Sequence, residues 1–193
     1  MEATSLPDLL TAYHEDPRCT AAAEALGTER ARLQLSGLVG SSAAFAATAI
    51  TGRHRGIHVF VLNDKEEAAY FLNDLQTLRG KDEPEPLFFP APSRGPYDPE
   101  GHHDGERVTR TEVLEELMRG RRRLTIVTHA EALAPLVVGR ERMKRHTLKV
   151  KRGEQLPTDT LLEWLQETGF EAADFVYEPG QFSLRGGIVD VFS

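Results

Sequence analysis

The chain has 193 residues, 40% of them hydrophobic and 27% charged, which suits a soluble globular protein with one full core and part of a second. A formal charge of −7 argues against the whole surface lying on a nucleic acid. One cysteine, Cys19, rules out a disulfide framework and a cysteine zinc site; the start of the chain does not read as a secretory leader and no run approaches the roughly 18 apolar residues of a membrane span, so a cytoplasmic protein with no membrane contact is expected.

Residues 1–30 predict two short helices, Pro7–Glu15 and an alanine-rich Thr20–Leu26 stopped by Gly27. The stretch that organises the rest is Leu33–Gly52. It reads as a short strand at Leu33–Ser36, a glycine turn at Gly37 and Gly40, and a small-residue helix opening at Ser41. That order is the frame of a phosphate-binding loop. Laid over G-x-x-x-x-G-K-[ST], the run Gly37 to Ala44 keeps the first glycine, but Ser42 replaces the second, Ala43 the lysine and Ala44 the metal-binding hydroxyl. Two alanines neither reach a phosphate nor hold magnesium. The stretch is therefore a cradle (Gly37, Gly40, Ser41, Ser42, Ala43, Ala44) that has lost its nucleotide, or else an ordinary strand–helix connection.

Ile57–Leu62 is a continuous apolar run of strand length, expected to be buried on both faces. Asn63 or Asp64 caps a helix to Leu78, whose buried stripe is Ala68, Ala69, Leu72, Leu75 and, flanking them, Phe71 and Leu78. Leu87–Phe89 is a third strand. Pro90–Gly105 is a long Pro/Gly/His loop, Thr109–Arg119 a helix, Leu124–Thr128 a fourth strand and His129–Leu136 a short helix. Alternating strands and helices predict an α/β fold, a three-layer and mainly parallel sheet. Between Arg119 and Arg152, eleven Lys/Arg stand against Glu131 and Glu141, a local balance of +9, so the remainder carries −16. That stretch suits an acidic partner or phosphate, or a solvated surface.

The pattern changes near Gly139, which sets the domains: N-terminal helices 1–30, an α/β domain 31–139, and a smaller α+β domain 140–193. In the last, Thr158 or Thr160 caps a helix to Thr168 with Leu161, Leu162 and Leu165 on its apolar side and Trp164 beside them. Phe175–Tyr177 reads as a strand. Gly186-Gly187 between alternating runs signals a two-residue hairpin that pairs 185 with 188 and 182 with 191. Phe182, Leu184, Val189 and Val191 then share a core face, and Ser183, Arg185, Ile188 and Asp190 share the other. An arginine beside an exposed isoleucine has the composition of a protein-binding hot spot.

The closing run from Gly180 to Phe192 resembles the F-x-x-R-G signature shared by UvrB and the transcription-repair coupling factor (Mfd) family. KVKRGEQLPTDTLLEWLQETGF resembles the segment preceding it there, and PYDPEGHHD is similar to the Pro-Tyr-Asp region of the coupling factors. SGLVGSSAAFAATAI falls where UvrB keeps an intact phosphate loop and the coupling factors a ruined one, which favours the latter. The resemblance implies a RecA-like domain with a degenerate loop, then a domain that contacts UvrA and recruits it to stalled RNA polymerase. It implies a fragment that is not itself an enzyme and has no cofactor. The ATP-dependent translocase motor and the contacts with polymerase and double-stranded DNA would lie in later domains. Partner-binding residues would be Arg185 and Ile188, with Phe182, Ser183 and Gly186 of the signature. Two further arginines of the UvrB footprint fall at Ser183 and near Ala172. A monomer is expected.

Rival chemistries are weaker. An ATPase, or a phosphate-binding domain with weak ATPase activity, needs the missing lysine and a carboxylate where Leu124–Thr128 ends in Thr128-His129. Asp98, Glu100, His102, His103 and Asp104 offer metal-ligand types, but in a loop without a preorganising scaffold. A dinucleotide site needs a third glycine after Gly37 and Gly40.

Overall fold

The computed structural model describes residues 5–81, 83–92 and 104–192, and the chain divides into two units, Met1–Leu136 and Val137–Ser193. The first is α/β. Helices α1 (Leu6–Glu15) and α2 (Pro17–Leu26) precede α3 (Ser42–Thr51), β1 (Ile57–Leu62), α4 (Lys65–Leu78), β2 (Leu87–Phe89), α5 (Asp104–Met118), β3 (Leu124–His129) and the single-turn α6 (Ala130–Leu133). The strands form a parallel sheet in the order β1-β3-β2, with Ile57 opposite Leu124 and Leu87 opposite Ile126.

β3 is central, and all its residues but Thr125 are buried. One face packs Val127 with Ala44 and Phe45 of α3 and Ala68, Leu75 and Leu78 of α4. The other packs Leu124 and Ile126 with Phe89, Val113 of α5 and Ala132. Each large apolar side chain so buried contributes about 1.5–3 kcal/mol. Arg110 is buried at 8% exposure and staples α5 to the sheet. Its Nη1 donates to the carbonyls of Pro90 (2.5 Å) and Ala132 (3.1 Å), and its guanidinium lies 4.0 Å from the centre of the Phe89 ring. Burial lowers its pKa from the usual arginine value.

Three expectations need correction in this unit. Leu33–Ser36 is not a strand: the segment is irregular, and Leu33 and Leu35 are 44% and 50% exposed. A strand this short needs a ladder partner, yet this segment follows Arg30 in the left-handed region (φ 60°) and lines a cleft with α1, α2 and α3 instead. β1 is not buried on both faces. Phe60 and Leu62 turn toward α3 and α4, while Ile57, Val59 and Val61 are about half exposed. It is an edge strand, and α5 covers β3 and β2 only. Ala69 lies outside the buried stripe of α4, which holds Ala68, Leu75 and Leu78.

Local chemistry explains the ends of these helices. Asp64, not Asn63, caps α4: its Oδ1 accepts from Glu67 N–H at 2.8 Å, while Asn63 Nδ2 donates to Glu67 Oε2. α1 and α2 seat on α3 through Cys19, Ala22, Ala23, Ala46, Ala49 and Ile50, and the Tyr13 ring stacks on Phe45 at 5.1 Å.

The second unit holds α7 (Arg140–Arg145), α8 (Thr158–Glu167) and a small mixed sheet of β4 (Glu171–Ala172), β5 (Gln181–Arg185) and β6 (Ile188–Phe192). β5 runs parallel to β4 and antiparallel to β6. The basic α7 has no apolar stripe and the sequence patterning missed it. The N-cap of α8 is Pro157, with no side-chain cap, so neither Thr158 nor Thr160 serves. Leu165 is 1% exposed and anchors the helix.

Candidate partner-binding hairpin

The hairpin forms in the expected register, from Arg185 opposite Ile188 to Phe182 opposite Val191. Gly186 (φ 55°) and Gly187 (φ 96°) both lie in the left-handed region, as a type I′ turn demands. The expected faces are only partly right. Phe182 is 3% exposed, but its neighbours on that face, Leu184 toward the tip and Val191 opposite Phe182, are 48% and 42% exposed. On the opposite face Ser183 is 1% exposed while Ile188 is 65% exposed.

The residues taken as partner-binding therefore separate into two groups. Arg185, Gly186 and Ile188 lie on the surface. Phe182 and Ser183 lie inside and act on the shape of the site rather than by offering side chains. Ser183 Oγ donates to the carbonyl of Asp174 at 2.8 Å. Ala173 N–H donates to Phe182 O at 2.8 Å. These bonds hold segment 173–175 against β5 and set Phe175 beneath Arg185, whose guanidinium carbon is 4.9 Å from the ring centre. The Arg185 Nη2 also pairs with Asp190 Oδ2 at 2.5 Å. Ala172, where the resemblance places a lost arginine, is exposed in β4.

Phe175 and Tyr177 were missed as site residues. They read as a strand, yet no strand forms there, and they are 52% and 76% exposed with rings 6.3 Å apart. Gln181 prevents a ladder by folding its Oε1 back to accept from the Tyr177 and Glu178 amides at 2.9 and 3.1 Å. The usable signal was the Glu178-Pro179-Gly180 turn that follows, which ends any strand there and leaves the aromatics of F-x-Y in a loop. The result is a surface cluster of one fixed arginine and three apolar side chains, Phe175, Tyr177 and Ile188. Its chemistry suits an acidic and apolar surface.

The loop before α3 has a different geometry. Gly37 (φ 78°) and Gly40 (φ 56°) adopt the left-handed conformation a cradle would use. Four of its amides, however, are engaged within the loop. Val39 N–H donates to Ser42 Oγ at 2.6 Å, Ser42 N–H to Val39 O, Ala43 N–H to Gly40 O and Ala44 N–H to Ser41 O. Asp98, Glu100, His102 and His103 lie outside the described residues, and Asp104 opens α5. Among the described residues no group of His, Cys, Asp and Glu gathers to hold a metal ion, and no helix is long and apolar enough to cross a membrane.

Comparison with known proteins places the hairpin in context. Residues 148–193 match the family described as the UvrB interaction domain. A transcription-repair-coupling factor of Myxococcus xanthus is 30% identical over 167 residues, which is 84% of this chain and 14% of that protein. The chain belongs to the transcription-repair-coupling factor family. As its UvrB-homology module, the chain is also 26% identical to the Escherichia coli coupling factor over 163 residues, 82% of this chain and 13% of that protein. The Bacillus subtilis coupling factor is 31% identical over 86 residues, 45% of this chain and 7% of that protein. The chain thus spans about a seventh or less of the length of these relatives. Arg185 and its supporting residues all fall inside the UvrB-interaction match.

Proposed function

We propose that this chain is the non-catalytic adaptor part of a transcription-repair coupling factor, and that its hairpin recruits UvrA in nucleotide excision repair. The observation that carries this reading is Arg185, held on Phe175 and Asp190 at the surface of the segment that matches the UvrB interaction domain. A fixed guanidinium over an aromatic ring, beside an exposed isoleucine, is the make-up of an interface anchor. DNA translocation, RNA polymerase contact and ATP hydrolysis belong to other parts of the full-length protein, which acts in the cytoplasm. Arg185→Ala is expected to lower UvrA affinity by about 1–3 kcal/mol, or about 5- to 150-fold, in calorimetry. An unchanged affinity with the fold intact refutes the assignment.

The RecA-like ancestry of the first unit is part of the same proposal. Its support is the glycine loop running into α3 and onto a parallel sheet, with Ala43 and Ala44 at the positions of the lysine and hydroxyl. Four loop amides spent on internal acceptors leave few donors for phosphate. No nucleotide cofactor is therefore assigned to the module. ATP titration of the chain should give no saturable binding; ordinary micromolar binding overturns the degenerate-loop reading in favour of a nucleotide-binding domain.

A further inference from the structure

β1 and β3 are parallel neighbours in register, so the turns that lead into them meet at one end of the sheet. Leu124 N–H donates to Gly56 O at 3.1 Å and ties these turns together. The sequence fills both with arginine: Arg53 and Arg55 before β1, Arg121, Arg122 and Arg123 before β3. An open cleft results, lined by Gly52, Arg53, His54, Arg55, Arg122 and Arg123, with no carboxylate and no apolar side chain in its lining.

Two of these guanidinium groups are fixed by backbone. Arg53 Nη2 donates to His14 O at 2.5 Å. Arg123 donates to Gly52 O, with a longer contact of 3.4 Å to Glu83 Oε1. His54 is held by Ala23 O at 2.7 Å. Arg55 and Arg122 are exposed and make no hydrogen bond or ion pair with any described residue. Arg121 is paired with Glu116 and is left out. Four arginines thus share one cleft on a chain whose net charge is −7. Like charges gathered this way repel one another unless an anion is near.

The lining decides which anion. A protein partner gains most of its affinity from aromatic or aliphatic anchors, and the cleft has none. A single strand of nucleic acid uses aromatic platforms for its bases, and the one aromatic ring in the lining, His54, is tied to Ala23 O. A duplex backbone needs only spaced cations with forked donors. We propose that this cleft is a sequence-independent contact for the phosphate backbone of a nucleic-acid duplex. It lies in the first unit and does not depend on the UvrA reading of the hairpin. The acidic remainder of the chain confines the contact to this end of the sheet and keeps it weak.

The test is fluorescence anisotropy of the 193-residue chain against a labelled DNA duplex of about 20 base pairs, with salt varied from about 50 to 200 mM. Arg123 already faces Glu83, so three phosphate contacts, from Arg53, Arg55 and Arg122, give a slope of log K against log salt of about −3. R55Q and R122Q should each reduce that slope by about one, and R55E/R122E should abolish binding, while Arg185→Ala leaves it unchanged. Arg55 and Arg122 have no partner to lose among the described residues, so the denaturation midpoint should not move in either single variant. No binding at the lowest salt, or the same slope in R55Q and R122Q, overturns the proposal. So does polyglutamate of matched charge that displaces the duplex as well as unlabelled duplex does, which would point to an acidic polypeptide.

Discussion

Replacing Ser183 by alanine tests whether the buried strand really sets the exposed site. The hydroxyl is buried and donates to Asp174 O at 2.8 Å. A neutral hydrogen bond of this kind contributes about 0.5–1.5 kcal/mol net. Asp174 is exposed, so its freed carbonyl regains water and the loss should sit near about 1 kcal/mol. The Ala173 amide, bonded to Phe182 O next to this carbonyl, should then exchange about 5-fold faster with deuterium. Phe175 follows Asp174 directly, so its ring loosens beneath Arg185. An exposed cation–π contact is worth about 0.5–1 kcal/mol, hence UvrA affinity should fall about 2- to 5-fold. That second loss must disappear in a Phe175→Ala background, where no ring is left to position. Amide exchange by NMR and a calorimetric double-mutant cycle supply both readouts. Unchanged exchange at Ala173, or the same affinity loss with and without Phe175, refutes the chain of cause from Ser183 to Arg185.

Gly187→Ala should cost about 1–2 kcal/mol in chemical denaturation, because the residue sits at φ 96° and a Cβ there meets no neighbour, leaving only conformational strain. Leu165→Ala should cost about 2–5 kcal/mol, since the side chain is 1% exposed; Trp164, the only tryptophan, reports the loosened packing of α8 by its fluorescence. His58 has a pKa lowered below 6.5, first by burial, with repulsion from His54 and Arg123 adding to it. A lowered histidine pKa means stability is full above 6.5 and is lost as pH falls below that value, because the unfolded chain takes up the proton first. His58→Gln should flatten the fall in the urea midpoint between about pH 7 and pH 5, and a slope identical to that of the parent would exclude this role.

What the sequence disclosed depended on how local its cause was. The glycine pair in the hairpin, the Asp64 cap and the apolar run of β3 are each determined by a few neighbouring residues, and each was found where expected. The failures needed tertiary knowledge. Leu33–Ser36 alternates as a strand does, but nothing in four residues says that α1 and α2 would share its cleft. Ile57–Leu62 is as apolar as β3, and only the strand order shows that one of the two is an edge. Arg110 is buried through carbonyls 20 and 22 residues away, which no periodicity reveals. The exposed positions of Arg185 and Ile188 were legible because a hairpin fixes its own register. Phe175 and Tyr177 were not, because their exposure depends on Gln181 turning back to take two amides.

The two glycine-bearing elements of the chain put their polar groups to opposite uses. In the loop before α3, the Val39 amide goes to Ser42 Oγ and the amides of Ser42, Ala43 and Ala44 go to carbonyls of the same turn, so these four donors are turned inward. At the hairpin, Gly186 and Gly187 turn the chain so tightly that Arg185 ends β5 at the surface. Its guanidinium is held by one face on Phe175 and by Nη2 on Asp190. A guanidinium has five N–H donors, and one carboxylate oxygen does not exhaust them. Holding the group without saturating it lowers the entropy lost on binding while leaving hydrogen bonds to be made. A guanidinium held this way has the chemistry to meet an acidic surface. Arg185, Phe175 and Asp190 that build it all lie in the short second unit, inside the residues that match the UvrB interaction domain.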